Sequence, residues 1–117
     1  MAEMGEDVLD HAYLSELTEW VGAATLTDLA AKAPESFGVE SDAMRAAWQQ
    51  GDATELRAAS HRLKGMASSL ACCRLAQLCQ FAQHDPARAM IDRDLGARLD
   101  RELAAALDAL SVRFGLR

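Results

Sequence analysis

Between Asp52 and Leu70 the apolar residues Leu56, Ala59, Leu63, Met66 and Leu70 return at alternating spacings of three and four. Only a helix brings residues so spaced onto one stripe, since a strand has a period of two. The pattern commits the middle of the chain to an amphipathic helix with one buried face. The remainder can follow it, because 24 alanines and 16 leucines stand against nine Val, Ile and Thr together, with only two prolines. A chain so poor in β-branched residues favours helix almost throughout. The fold class expected is all-α.

Further stripes place the other helices. Leu9, Tyr13, Leu14, Leu17, Trp20 and Val21 predict a first helix over Val8 to Val21, interrupted by Gly22. A short segment with Leu26 and Leu29 is expected to stop near Lys32 or Ala33, because Pro34 disfavours helical backbone in the residue before it. Pro34 suits the first position of a further helix, with Phe37, Met44 and Trp48 on one face. Gly51 supplies a C-cap, and Asp52 with Glu55 a capping pair for the helix that follows. Beyond it, Leu75, Leu78, Cys79 and Ala82 face inward on a helix reaching His84-Asp85-Pro86, where proline ends or restarts the chain. A long last helix carries Ile91, Leu95, Leu99, Leu103, Ala106, Leu107, Leu110 and Phe114.

Four long amphipathic helices joined by short turns bury their stripes together most simply as an antiparallel up-and-down four-helix bundle, with a short additional N-terminal helix against it. A length of 117 residues suffices for one core and not for two. With no repeat or linker, residues 1–117 are expected to form a single domain, free-standing or as a module of a longer protein.

A net charge of -6 leaves no counterion release to drive binding to a phosphate backbone, so nucleic acid is excluded as a partner. No apolar run approaches the ~20 residues that cross a bilayer. The acidic N-terminus lacks the order of a signal peptide. A cytoplasmic, monomeric protein is expected. Cys72, Cys73 and Cys79, an odd number, fit reduced thiols used as small core fillers. They form no Cys-x-x-Cys pair, so no metal site is assigned. No glycine-rich phosphate loop and no serine or cysteine with a base-and-orienter set is present. His11 and His84, isolated near helix ends, are read as surface residues.

His61 is different. Advancing about 100° per residue from the Leu56–Leu70 stripe places it on the opposite side, with Arg57, Lys64, Gly65 and Ser68 as its neighbours. Lys64, one turn on, offers an ammonium to an anion held on the imidazole, and Gly65 removes a side chain that would crowd the ring. A neutral imidazole is a nucleophile as well as a base, able to attack a phosphoryl donor and pass the group onward. Arg57, Arg62 and Lys64 form a small basic patch on an acidic chain, read either as ordinary surface charge or as steering for an acidic partner.

The run Ser60-His61-Arg62-Leu63-Lys64-Gly65, followed by Leu70, Leu75, Leu78 and Cys79, resembles the His-x-Leu-Lys-Gly signature of the histidine-containing phosphotransfer (HPt) domain family. Order and spacing are similar from about Trp48 to Gln83, the Gly51-Asp52 turn included. The resemblance implies a four-helix-bundle phosphocarrier in which His61 accepts a phosphoryl group from a receiver-domain aspartate or a hybrid sensor histidine kinase and gives it to another response-regulator receiver. It implies further that Lys64 faces the phosphate, that Gly65 leaves room for the receiver, and that Gln83 bonds the unphosphorylated ring nitrogen, with Gln80 on the same rim. Arg57, Arg62, Gly65, Ser68 and Gln80 would meet the partner. Such a carrier has no ATP site and no cofactor of its own, the receiver bringing magnesium. The sequence departs from the family at Ser60, where alanine is usual, and at Ala71, where a glycine commonly ends the histidine helix. The alternative reading is a helical adaptor that binds a signalling partner without phosphotransfer.

Overall fold

The computed structural model describes residues 7–116, and the reading of the extreme N-terminus as no signal peptide falls partly on residues 1–6, outside that range. The chain passes through six helices: α1 His11–Val21, α2 Ala23–Gln50, α3 Ala53–Ser69, α4 Cys73–His84, α5 Pro86–Met90 and α6 Leu95–Phe114. Among the described residues the sole β feature is an isolated bridge between Leu9 and Cys72. The fold is all-helical. α2 packs on α3, α3 on α4, α4 on α6 and α6 on α2, which closes a ring around the core, while α1 lies against α2.

Two turns set α3 in place. Gly51 ends α2 in the left-handed region at φ 73°, its N–H turned back to the carbonyls of Ala47 and Trp48. Asp52 then caps α3, its Oδ1 accepting from the Glu55 N–H at 3.0 Å. The Glu55 carboxylate does not return the bond. It goes to Arg62, and the Asp52 N–H is taken by the Ala47 carbonyl at 2.9 Å. At the far end of α3, Ala71 adopts φ 58°. Left-handed backbone costs an L-residue about 1–2 kcal/mol, so Ala71 keeps the backbone a glycine would supply, at a penalty. An N-terminal strap spans the turn: Asp10 N–H donates to the Ala71 carbonyl at 2.9 Å and Cys73 N–H to the Val8 carbonyl at 3.0 Å.

Several expectations are corrected. Pro34 breaks nothing, and α2 runs through it for 28 residues. Pro34 sits on the exposed side, while Leu26, Ala30, Ala33, Phe37 and Met44 form one buried stripe that crosses it without losing phase. The packing of that stripe outweighs the hydrogen bond and local clash that proline costs. Leu9 belongs to the strap and not to α1. Trp20 is 82% exposed, and Tyr13, Val21 and Leu29 are exposed as well, because α1 and the start of α2 have a neighbour on one side only. Ile91 is 79% exposed just after α5, ahead of the α6 stripe it was grouped with. On α3, Ala67 takes the fully buried place, and Met66 is half-buried: a 3.6-residue period drifts off a strict alternation. The inward set of α4, Leu75, Leu78, Cys79 and Ala82, is as read, and Pro86 opens α5 behind the Asp85 cap. His11 is exposed but not isolated, since Arg113 Nη1 donates to its Nδ1 at 2.8 Å and ties α1 to the end of α6.

On the α2–α6 side two helices approach more closely than the apolar periodicity indicates. A Cβ on Gly96 would stand 2.7 Å from Trp48 Cζ3, so α6 meets the indole where only glycine fits. The indole Nε1 donates to the Asp92 carbonyl at 3.1 Å. Arg74 on α4 grips Glu102 on α6 with two bonds of 3.0 and 3.1 Å.

Candidate functional site

His61 sits on the exposed face of α3, opposite Leu56, Ala59, Leu63 and Ala67, all fully buried. The residue before it, Ser60, is buried too. Its hydroxyl donates to the Leu56 carbonyl at 2.6 Å, which satisfies it without a partner from another helix. A serine therefore fits where alanine is usual.

Gln83, on the facing side of α4, meets the imidazole directly, its Nε2 lying 3.0 Å from His61 Nδ1. That contact occupies Nδ1 and leaves Nε2 directed away from α4. If the amide donates to Nδ1, a neutral ring holds its proton on Nε2. Turning the amide about its last bond offers Oε1 instead, which accepts from an Nδ1–H and frees the Nε2 lone pair. Gln83 Oε1 is enclosed and has no hydrogen-bond partner among the described residues, so the acceptor that this second tautomer requires is at hand.

One turn along each helix a second pair spans the same seam, Lys64 Nζ donating to Gln80 Oε1 at 2.6 Å. A neutral amide thus positions the ammonium without cancelling its charge. The other positions divide. Arg57 and Ser68 are exposed on the His61 side. Gly65 is exposed, and a Cβ there would meet nothing within 4 Å. Neither positive φ nor a crowded neighbour calls for glycine, although glycine in a helix interior costs about 1 kcal/mol relative to alanine. Arg62 lies away from the group. Its Nε donates to Glu40 on α2 at 2.8 Å and its Nη2 to Glu55 at 3.0 Å. The bond to Glu40 and then that to Glu55 raise its pKa above the ordinary arginine value.

His61, Lys64, Gln80 and Gln83 are thus brought together, Arg57, Gly65 and Ser68 border them, and Arg62 is turned aside. The Lys64–Gln80 bond and the pairing of Arg62 were not read from the sequence; the i+7 relation of Glu55 to Arg62 was the one local sign. Cys72 and Cys79 are buried, and desolvation pushes both thiols up to about 12, far from thiolate character. Among the described residues no group of three or more His, Cys, Asp or Glu is placed to hold a metal ion. No helix there is long and apolar enough to cross a membrane.

The arrangement is that of a surface imidazole held by one nitrogen, beside a positioned cation, on a helical scaffold. In a comparison with family models, that of the Hpt domain matches residues 25–111. The comparisons with curated proteins and with solved structures each returned no match. The match spans three quarters of the chain, from the start of α2 into the end of α6, and contains the whole His61 site. The chain belongs to the Hpt domain family, whose members act as histidine phosphotransfer modules in phosphorelays. The strap and α1 lie outside the match.

Proposed function

We propose that this protein is a phosphorelay carrier that takes a phosphoryl group on His61 Nε2 from a receiver aspartate, or from a hybrid sensor histidine kinase, and delivers it to the aspartate of another response-regulator receiver. The contact between Gln83 and His61 Nδ1 carries the reading, because it leaves one defined nitrogen facing a partner. In the accepting step the Nε2 lone pair forms the N–P bond while the P–O bond to the aspartate breaks, and the carboxylate leaves. The ring proton stays on Nδ1, held by Gln83 Oε1. Delivery runs the same steps backward onto a second carboxylate. Lys64, tethered to Gln80, offsets charge on the phosphoryl oxygens. Gly65, open and with no internal reason to be glycine, is where a receiver approaches the ring. The receiver brings magnesium, and this chain needs neither ATP nor a cofactor.

The ring of α2, α3, α4 and α6 supports an antiparallel up-and-down four-helix bundle, residues 1–117 forming one domain that works as a cytoplasmic monomer. Incubation with receiver domains charged by acetyl phosphate tests the reading. Wild-type chain should acquire an acid-labile, alkali-stable label, and His61→Gln none, with an unchanged far-ultraviolet circular dichroism spectrum. Label persisting in His61→Gln at normal stoichiometry contradicts it, and receiver binding without label would make the protein an adaptor.

A further inference from the structure

Arg74, Gln77, Leu78 and Phe81 follow one another on α4 at spacings of three, one and three, which sets them on one side of the helix. That side faces α6: Arg98 Cζ lies 5.6 Å from the centre of the Phe81 ring, and Arg74 pairs with Glu102. Phe81 and Gln83 are two residues apart, about 160° around the helix, so this side turns away from the imidazole that Gln83 meets. Two hollows open to solvent run along it and join at Arg98. One, of about 320 Å³, is lined by Arg74, Gln77, Leu78, Arg98 and Glu102. The other, of about 540 Å³, is lined by Phe81, Arg88, Ile91, Asp92 and Arg98, with Ile91 exposed at its rim.

We infer that this groove along α4, α5 and α6 docks an acidic amphipathic helix of a partner protein, on a face separate from His61. Charge selects the acidic character. The two carboxylates of the groove are already committed, Glu102 giving both oxygens to Arg74, and Asp92 giving one to Arg98 and the other to the Asp94 N–H. Arg88 has no such counterpart. Its backbone N–H bonds the Asp85 carboxylate, but no group among the described residues holds its guanidinium. Three guanidinium groups thus line the groove against two carboxylates, a local positive excess on a chain of net charge -6. A partner carboxylate can take Arg88 and the donors of Arg98 that Asp92 leaves free. Phe81 and Ile91 supply the apolar contact, the Phe81 ring lying under the Arg98 guanidinium. The walls are helices whose backbone groups are spent within themselves, so an extended chain would find no backbone partners here. A helix brings its own hydrogen bonds and sets apolar anchors at i, i+3 and i+7, matching the rise of about 10.5 Å from Arg74 to Phe81. An open groove suits such a segment better than a small molecule, which binds where a pocket encloses most of its surface.

The test selects peptides of about 16 residues, some four helical turns, from a displayed random library on the wild-type chain. Binders to an Arg88→Glu, Ile91→Asp double variant are removed; both positions are exposed, and should that variant melt below wild type, Arg88→Ala takes its place. The survivors should carry Asp or Glu beside Leu, Phe or Met at helical spacing. A synthetic survivor should bind wild type and His61→Gln equally and lose about tenfold in Kd with Arg88→Glu. Changing one Glu of the peptide to Lys should restore binding to that variant. Saturating peptide should leave phosphoryl transfer to His61 at its normal rate. No enrichment, survivors that are basic or lack apolar residues, or a peptide that competes with transfer would each overturn the inference. The readout is binding, so the result stands apart from the phosphocarrier reading of His61, which the label on His61 decides.

Discussion

The two flanks of α3 treat their cations in opposite ways. Toward α2, the exposed Arg62 is paired with the carboxylates of Glu40 and Glu55. Toward α4, Lys64 is held by the neutral amide of Gln80, and Gln83 in the same way holds the imidazole. A guanidinium paired with two carboxylates presents little net field, whereas an ammonium on an amide keeps its full charge. The two residues are neighbours in sequence on either side of Leu63, yet a helix separates them by about 160° around its axis. Proximity to the histidine in the chain does not assign a role; the helix that each side chain faces does. One flank is a clasp between α2 and α3, and the other a prepared surface.

Substitutions on the two flanks sharpen or break this contrast. Gly65→Gln should slow transfer about a hundredfold, because a long side chain beside His61 displaces the incoming phosphoryl donor, and misplacement by about 1 Å suffices for that loss. Thermal stability should hold or rise, since no atom lies within 4 Å of a Cβ there and interior helical glycine is unfavourable. Gln83→Ala should slow transfer about tenfold, the worth of one hydrogen bond of roughly 1.4 kcal/mol that fixes the tautomer. A wild-type single-turnover rate in that variant would reduce Gln83 to a bystander. Lys64→Ala should cost about fivefold, as expected of a solvent-accessible charge pair worth up to about 1 kcal/mol. Arg62→Met should stay within about twofold of wild type in transfer, an exposed ion pair contributing little to rate. Its effect belongs in the melting curve, through loss of the contacts to Glu40 and Glu55. If Arg62→Met slows transfer more than Lys64→Ala, the contrast between the flanks is wrong.

What the sequence displayed was periodicity, and periodicity is local. The α3 stripe, the Gly51-Asp52 turn, the inward set of α4 and the outward His61 all follow from residues within a few turns of one another. Pro34 shows the limit. The local rule for proline is sound, but the stripe from Leu26 to Met44 continues in phase across it, and its packing is a tertiary fact. Trp20 and Ile91 had helical spacing to apolar neighbours, but spacing does not say whether a second element covers them, and none among the described residues does. At the site, the resemblance pointed to His61, Lys64, Gly65 and Gln83, and the structure brings His61, Lys64 and Gln83 to one seam, with Gly65 bordering it. It did not show that Gln80 would hold Lys64 or that Glu40 would claim Arg62, because both depend on the rotation of neighbouring helices. Ala71 was visible only as a departure from the family. The strap that bonds its carbonyl, through Asp10, lies some sixty residues away in sequence.

The central claim is that α4 occupies one nitrogen of His61 so that the other carries the phosphoryl group. Nitrogen-15 and phosphorus-31 NMR of the chain, labelled at histidine and phosphorylated by a receiver, tests this most directly. The account predicts a single phosphohistidine, His61, with phosphorus bonded to Nε2 and a protonated Nδ1 whose coupling to the Gln83 amide is lost in Gln83→Ala. Phosphorus on Nδ1, or on any residue other than His61, would contradict it.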